Sequence, residues 1–156
     1  MTRPIAVVDC GTNTTRLLIT DGESIEIRDQ HITGLGRGLG QSGQLKPLAI
    51  ERTVTALEHF GELLRANDVS TVRAIATSAA RDARNRDAFF GPGAAALGHD
   101  IGLLSGDDEA RYGFAGATSG FDPAGGPVLV VDIGGGSTEF ALGRPGETPE
   151  VHSSLQ

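Results

Sequence analysis

The sequence predicts an α/β fold made of two related half-structures. An apolar strand, an aspartate, a glycine turn with hydroxyl side chains and a second strand occur in this order at residues 5–19 and again at residues 128–140. Between these two hairpins, segments with the alternation of strands are interspersed with segments that have helical periodicity, as in α/β proteins. We therefore expect two related halves that face each other across a bound phosphate.

The first hairpin consists of a strand at residues 5–9 and a second strand at residues 15–20. Backbone N–H groups and hydroxyls in a tight turn suit an anion, whereas an adjacent carboxylate suits a hard cation such as Mg²⁺. Asp9 is the candidate metal ligand. The candidate phosphate-binding residues are Gly11, Thr12, Asn13 and Thr14.

The next segments complete a strand and a loop. Asp21 and Gly22 are a strong hairpin signal, and residues 24–33 alternate apolar and polar side chains, which predicts a half-exposed edge strand. The glycine-rich residues 35–44 predict a mobile connector, with the alternative that Arg37 reaches a bound anion.

Residues 47–67 predict an amphipathic helix that begins at a proline. His59 falls on its polar side, where we expect it to be solvated. No two histidines or cysteines share a zinc-ligand spacing, so no zinc site is predicted. The apolar stripe of the helix consists of Ile50, Val54, Leu57, Phe60 and Leu64.

A strand at residues 72–76 runs into a hydroxyl pair and a helix, for which Ser78 is the predicted N-cap. Four arginines and one acid lie between residues 73 and 86 of this acidic chain. The guanidinium fork suits phosphate, and Arg81, close to the strand end, is the best placed of them. Arg84 and Arg86 are expected on a solvated helix face.

An alanine-rich helix at residues 87–98 and a short strand at residues 101–104 precede a second helix start. Residues 107–109 place three acids in its first turn, where they favour the helix dipole and a capping role. Residues 118–126 then form a turn-rich linker to the second hairpin.

The second hairpin carries the clearest chemical signal. Its first strand is apolar enough to predict burial, and the three glycines allow backbone conformations closed to other residues. Asp132 and Glu139 are the candidate metal ligands. A lone triple glycine would be read as a structural turn, but the earlier copy favours binding. The candidate phosphate-binding residues here are Gly134, Gly135, Gly136, Ser137 and Thr138.

Composition limits the classes of function. The 156 residues suggest about one domain, and a net charge of −7 argues against general binding of nucleic acid or an anionic membrane. A single cysteine, Cys10, fits a reducing, cytoplasmic location, and we expect it to be a buried filler rather than a nucleophile. No signal peptide or membrane-spanning segment is predicted.

Four motifs in this order resemble the N-terminal part of the exopolyphosphatase/guanosine pentaphosphate phosphohydrolase (Ppx/GppA) family. They are residues 9–14, 76–85, 105–110 and 132–139. The resemblance implies the actin, sugar-kinase and Hsp70 superfamily, hence a ribonuclease-H-like lobe with a mixed sheet flanked by helices. It places the first lobe at residues 1–103 and the incomplete beginning of a second at residues 104–156.

The resemblance also implies roles for particular residues. Glu109 is the general base that activates water against the terminal phosphoryl group of inorganic polyphosphate, with guanosine pentaphosphate as a further substrate. Ser78 lies in the second phosphate motif, and Arg16 and Arg81 can pair with further phosphates. Mg²⁺ is the implied cofactor.

Two alternatives to a hydrolase remain open. One is an ATP-dependent kinase-like member of the superfamily without phosphatase activity, and the other is a phosphate- or nucleotide-binding fragment. We expect weak or no turnover from the 156-residue chain alone and Mg²⁺-dependent turnover from a full-length parent. An unpaired sheet edge at the end of the chain is consistent with a homodimer.

Overall fold

The computed structural model describes residues 3–155 and separates into two compact units, Met1–Leu103 and Leu104–Gln156. These limits coincide with those expected from the sequence. We predict that the second unit is the beginning of a longer lobe. Among the described residues, no helix combines the length and apolar character needed to cross a bilayer.

The first unit is built on a five-stranded mixed sheet in the order β3-β2-β1-β4-β5. β1 pairs antiparallel with β2 and parallel with β4, so it lies at the centre, and β3 is an edge strand, as predicted. The strands are β1 (Ile5–Cys10), β2 (Thr15–Thr20), β3 (Ile25–His31), β4 (Thr71–Ala76) and β5 (Ile101–Leu103).

Four helices belong to this unit: α1 (Leu39–Ser42), α2 (Pro47–Ala66), α3 (Ser78–Asp82) and α4 (Asp87–Leu97). Leu57, Phe60 and Leu64 of the predicted stripe of α2 are buried, as expected. Ile50 and Val54 are only half-buried, and Thr53 is fully buried instead. The Thr53 hydroxyl donates to the Ala49 carbonyl at 2.8 Å, which satisfies the polar group. Core side chains include Val8, Ile19, Leu57, Phe60, Leu64, Phe89 and Leu97.

The second unit is a three-stranded antiparallel sheet with one long helix. Helix α5 (Gly106–Thr118) precedes a 3₁₀ turn (Pro123–Gly125) and the strands β6 (Val128–Ile133), β7 (Thr138–Gly143) and β8 (Val151–Leu155). The sheet order is β6-β7-β8. Phe114 of α5 is fully buried, and a Cβ built on Gly143 would lie 3.3 Å from its ring, so this helix packs closely on β7.

The predicted burial of the apolar strand β6 is wrong. Leu129, Val131 and Ile133 are 60%, 45% and 80% exposed. In a strand, alternate side chains point to opposite faces, and α5 packs against the face that carries buried Ala141 and Gly143. A continuous apolar run therefore does not distinguish a strand buried on both faces from one such as β6, which is exposed on one face and only half-buried on part of the other.

Removal of the Phe60 side chain of α2 should destabilise the first unit. Phe60 is 0% exposed, so we expect Phe60→Ala to lower the free energy of unfolding, since it creates a cavity. Such truncations cost about 3–5 kcal/mol. Urea unfolding measures the change.

The matched control is Phe121→Ala, because Phe121 is 54% exposed. Its unfolding free energy should stay within about 0.5 kcal/mol of the parent chain. Equal losses for the two variants would contradict this assignment of the core.

Candidate functional site

The two glycine hairpins are closed by the same hydrogen bond. The Gly11 N–H donates to the Thr14 carbonyl at 3.0 Å, and the Gly134 N–H donates to the Ser137 carbonyl at 2.9 Å. In each case the flanking strands are in register up to the turn, with Cys10 opposite Thr15 and Ile133 opposite Thr138. The repeat predicted from the sequence is thus also a repeat of backbone structure.

Glycine is needed at both turns because of space, not because of an unusual backbone angle. A Cβ on Gly11 would lie 3.0 Å from the Thr14 oxygen, and a Cβ on Gly134 would lie 2.9 Å from the Ser137 oxygen. Neither glycine has a positive φ. The expectation that the three glycines of the second turn serve an unusual backbone conformation is therefore wrong for Gly134.

The two hairpins differ in the residue opposite the aspartate. Asp9 is opposite Arg16, whose Nη1 lies 3.7 Å from its Oδ2. Asp132 is opposite Glu139, which is only 3% exposed and accepts a 2.7 Å hydrogen bond from the Ser154 hydroxyl. One hairpin therefore pairs an acid with a cation, and the other places two acids side by side.

The first turn is fastened by the glycine-rich segment that follows β3. The Gly34 and Gly36 N–H groups donate to the Asn13 and Thr12 carbonyls at 2.9 and 3.0 Å. A Cβ on Gly36 would lie 2.5 Å from the Thr12 side chain. Among the described residues, the Thr12 and Asn13 N–H groups make no hydrogen bond, so they are available to an anion.

The predicted connector at residues 35–44 contains the short helix α1, which the sequence did not predict, and it is anchored at both ends. Its mobility stays a prediction. Leu35 is fully buried, and Gly43 accepts a 3.0 Å hydrogen bond from the Arg84 backbone. Arg37 is exposed on this segment, and its proposed contact with an anion stays a prediction.

The hydroxyl pair after β4 lies beside the first turn. The Thr77 N–H donates to the Cys10 carbonyl at 3.4 Å, and both Thr77 and Ser78 are buried. The predicted N-cap is wrong by one residue: α3 begins at Ser78, and the cap is Thr77, which makes no side-chain cap bond. Arg81 is half-buried in the last turn of this short helix.

Arg84 and Asn85 have structural contacts that sequence reasoning missed. Arg84 is exposed, as expected, and its Nη2 also donates to the Ser42 carbonyl at 2.8 Å. The Asn85 amide bonds both backbone groups of Leu45, at 2.8 and 3.0 Å. An Asn that pairs with a backbone 40 residues away leaves no periodic signal in the sequence.

The acidic start of α5 is capped as predicted. The Ser105 hydroxyl accepts from the Asp108 N–H at 3.1 Å and donates to the Asp108 carboxylate at 2.8 Å, which is a reciprocal cap. Asp107 lies 4.0 Å from the His152 ring nitrogen. Glu109 is half-buried in the same turn, and its backbone N–H bonds the Ser105 carbonyl at 2.9 Å.

Cys10 is a buried filler, as expected. Its side chain is 0% exposed, and burial together with the Asp9 carboxylate raises the pKa of its thiol far above the usual value. A thiol that stays protonated at neutral pH is a poor nucleophile. Cys10 therefore serves packing at the end of β1.

This mixed sheet, with a glycine hairpin at its centre and a second such hairpin downstream, defines an α/β protein of the actin-like, ribonuclease-H-like class. MreB5 of Spiroplasma citri bound to ADP shares the fold alone, at 16% identity and a TM-score of 0.52 over 99% of this chain and 52% of that chain. Residues 19–156 match the sequence model of the Ppx/GppA phosphatase family. The chain belongs to that family.

Two relatives show how far the similarity extends. Exopolyphosphatase 2 of Mycobacterium tuberculosis is 45% identical over 153 residues, which cover 90% of this chain and 48% of the relative. The crystal structure of an exopolyphosphatase from Cytophaga hutchinsonii is 30% identical, with a TM-score of 0.90 over 97% of this chain and 50% of that chain. The chain thus spans about half the length of these relatives.

The glycines that begin the two turns should not tolerate a side chain. We expect Gly11→Ala and Gly134→Ala each to destabilise the chain by about 1–3 kcal/mol, because the new methyl group would crowd a backbone oxygen. Urea unfolding of the separate variants measures the effect.

Gly113→Ala is the matched control, since a Cβ there meets nothing within 4 Å in the interior of α5. It should stabilise the chain by about 0.5–1 kcal/mol. Equal tolerance of alanine at all three positions would show that the turns are not as tightly closed as described.

Proposed function

We propose that this chain supplies phosphate-binding and catalytic residues for the release of terminal phosphate from inorganic polyphosphate. The pair of hairpins closed by the same glycine hydrogen bond carries the proposal. Each combines backbone donors and hydroxyls with an aspartate at the end of its first strand. Phosphoryl transfer depends mainly on positioning the phosphate and neutralising its negative charge. Backbone N–H groups and hydroxyls can position the phosphate, and the aspartate can hold a cation that neutralises the charge.

The acids of the hairpins fit a hard divalent cation. Asp132 and Glu139 are directly opposite each other on β6 and β7, and neighbouring carboxylates repel unless a cation is present. Asp9 offers a carboxylate that is 31% exposed. Asp9 in the first unit, and Asp132 and Glu139 in the second, are the proposed ligands of Mg²⁺. A bound Mg²⁺ ion would neutralise part of the phosphate charge.

Arginines of the first unit provide the remaining positive charge for a polyanion. Arg16 is 61% exposed beside the first turn, and Arg81 lies in α3 beside the buried hydroxyl pair. Guanidinium groups bind phosphate oxygens with two parallel hydrogen bonds. These local cations permit a polyanionic substrate in spite of the net charge of −7.

Glu109 is the proposed general base. It lies in the first turn of α5, where the reciprocal cap between Ser105 and Asp108 fixes the backbone. A general base must hold a carboxylate within reach of the attacking water. Asp108 is engaged by the cap and by Arg111 at 3.4 Å. The role of Glu109 rests on the resemblance of residues 105–110 to the catalytic-acid motif of the family.

The names of the relatives favour polyphosphate as the substrate, since both are called exopolyphosphatases. Guanosine pentaphosphate remains a second proposed substrate because the family name includes GppA-type phosphatases. Release of phosphate from polyphosphate without production of ADP would separate a hydrolase from a kinase-like relative.

Removal of the Arg16 side chain should weaken binding of polyphosphate. A hydrogen bond to a charged group contributes about 1.5–3 kcal/mol, so we expect Arg16→Ala to raise the dissociation constant for tripolyphosphate about tenfold or more. Isothermal titration with Mg²⁺ present measures it. Arg28 is an exposed arginine on β3. Arg28→Ala should change the dissociation constant less than twofold, because isolated exposed charges contribute little. Equal effects would indicate that only general positive charge matters.

Substitution of the proposed base should slow phosphate release and leave substrate binding unchanged. We expect Glu109→Gln to lower the rate about 10²–10⁴-fold while the tripolyphosphate affinity stays unchanged. Single-turnover measurements with the chain in excess detect slow hydrolysis, which suits a chain expected to be weakly active alone. Glu147→Gln, at an exposed acid of the second unit, is the control and should retain the parent rate. Identical rates for the parent chain and Glu109→Gln would contradict catalysis by this residue.

A further inference from the structure

Two histidines and an aspartate converge in the first unit. Asp29 and His31 are two residues apart on β3 and therefore share a face, and His59 reaches them from α2. The Asp29 Oδ2 atom lies 3.1 Å from the His59 Nε2 atom and 3.6 Å from the His31 Nε2 atom. All three ligand atoms lie within 4.8 Å of one another.

We propose that Asp29, His31 and His59 form a binding site for a zinc-type divalent transition metal. With metal–ligand bonds of about 2.0–2.1 Å, the ligand atoms of a tetrahedral site are about 3.3 Å apart. The observed separations of 3.1 and 3.6 Å lie on either side of that value. Two imidazole nitrogens and one carboxylate oxygen favour zinc, cobalt or nickel over magnesium.

The two imidazole rings are held in place before any metal binds. Their centroids are 5.6 Å apart in an edge-to-face arrangement. Both also pack on the ring of Phe60, at centroid distances of 5.5 and 6.1 Å, and Phe60 is fully buried. Ligands fixed by packing and carried on a strand and a long helix lose little freedom when they bind a metal.

The cluster is open to solvent on one side. The side chains of Asp29, His31 and His59 are 31%, 44% and 46% exposed, so a metal can enter and can keep a water or another small ligand. The groove beside the histidines is also lined by Glu51 and Arg52. Arg52 Nε donates to the Thr33 carbonyl at 2.8 Å, so this cation is anchored by the backbone.

The proposed metal would join an edge strand to the helix that covers it. β3 pairs with β2 on one side only, and β2 follows the first glycine turn. Without metal, the His59–Asp29 hydrogen bond at 3.1 Å makes the same connection. A metal bound to folded but not to unfolded chain adds stability by mass action, so occupancy should raise the unfolding temperature.

The cluster leaves no signal in the sequence. His59 is exposed, as expected for the polar side of the helix, and no ligands share a short spacing that would predict a zinc site. The structure instead brings His59 to a pair of ligands 28 and 30 residues earlier in the chain. Within residues 3–155 it is the one group of three such ligand atoms that meets.

Zinc titration tests the site. The chain is first treated with chelator and then titrated calorimetrically with Zn²⁺, and Co²⁺ is added in parallel to record its visible absorption. We expect one metal per chain and the strong absorption of tetrahedral Co²⁺. His31→Ala and His59→Ala should each weaken zinc binding at least tenfold and abolish the metal-dependent rise in unfolding temperature.

His99→Ala, at an exposed histidine outside the cluster, is the matched control and should bind zinc like the parent chain. Asp29→Asn tests the same site without removing a ring that packs on Phe60, and circular dichroism shows that each variant is folded. The proposal is wrong if the folded Asp29→Asn chain and either histidine variant bind zinc as tightly as the parent, or if the parent shows no saturable binding.

Discussion

Both candidate phosphate turns depend on one hydrogen bond, from a glycine N–H to the carbonyl three residues later. This bond, 3.0 Å long at Gly11 and 2.9 Å at Gly134, leaves no room for a Cβ on the donor residue. It keeps the two strands of each hairpin paired up to the turn. The aspartate of each first strand is therefore held two residues before the glycine, next to the hydroxyls that follow.

The first turn is also supported by contacts from distant parts of the chain. The Thr12 and Asn13 carbonyls are bound by the segment after β3, and Thr77 approaches the end of β1. That segment is in turn connected to the residues after α3, through the Asn85 amide and Leu45. A turn fixed in this way presents its N–H groups without further ordering, which is the condition for tight and specific anion binding.

The similar hairpins have diverged in charge. Arg16 faces Asp9 in the first, whereas Glu139 faces Asp132 in the second. A cation beside the turn favours direct binding of phosphate oxygens, and two neighbouring carboxylates favour a metal ion. The two copies of one backbone motif therefore differ in the ligand that each suits.

Apart from the short helix α1, the sequence alone determined the order of the main strands and helices, the repeat of the hairpins and the family, because strand alternation, helical periodicity and glycine motifs are local patterns. It could not reveal that no residue of β6 is fully buried, since composition does not record which face a helix covers or how completely. The contacts of Asn85 with Leu45 and of His59 with Asp29 span 40 and 30 residues. Only tertiary folding decides such contacts, because they depend on how separate elements pack and not on any spacing along the chain.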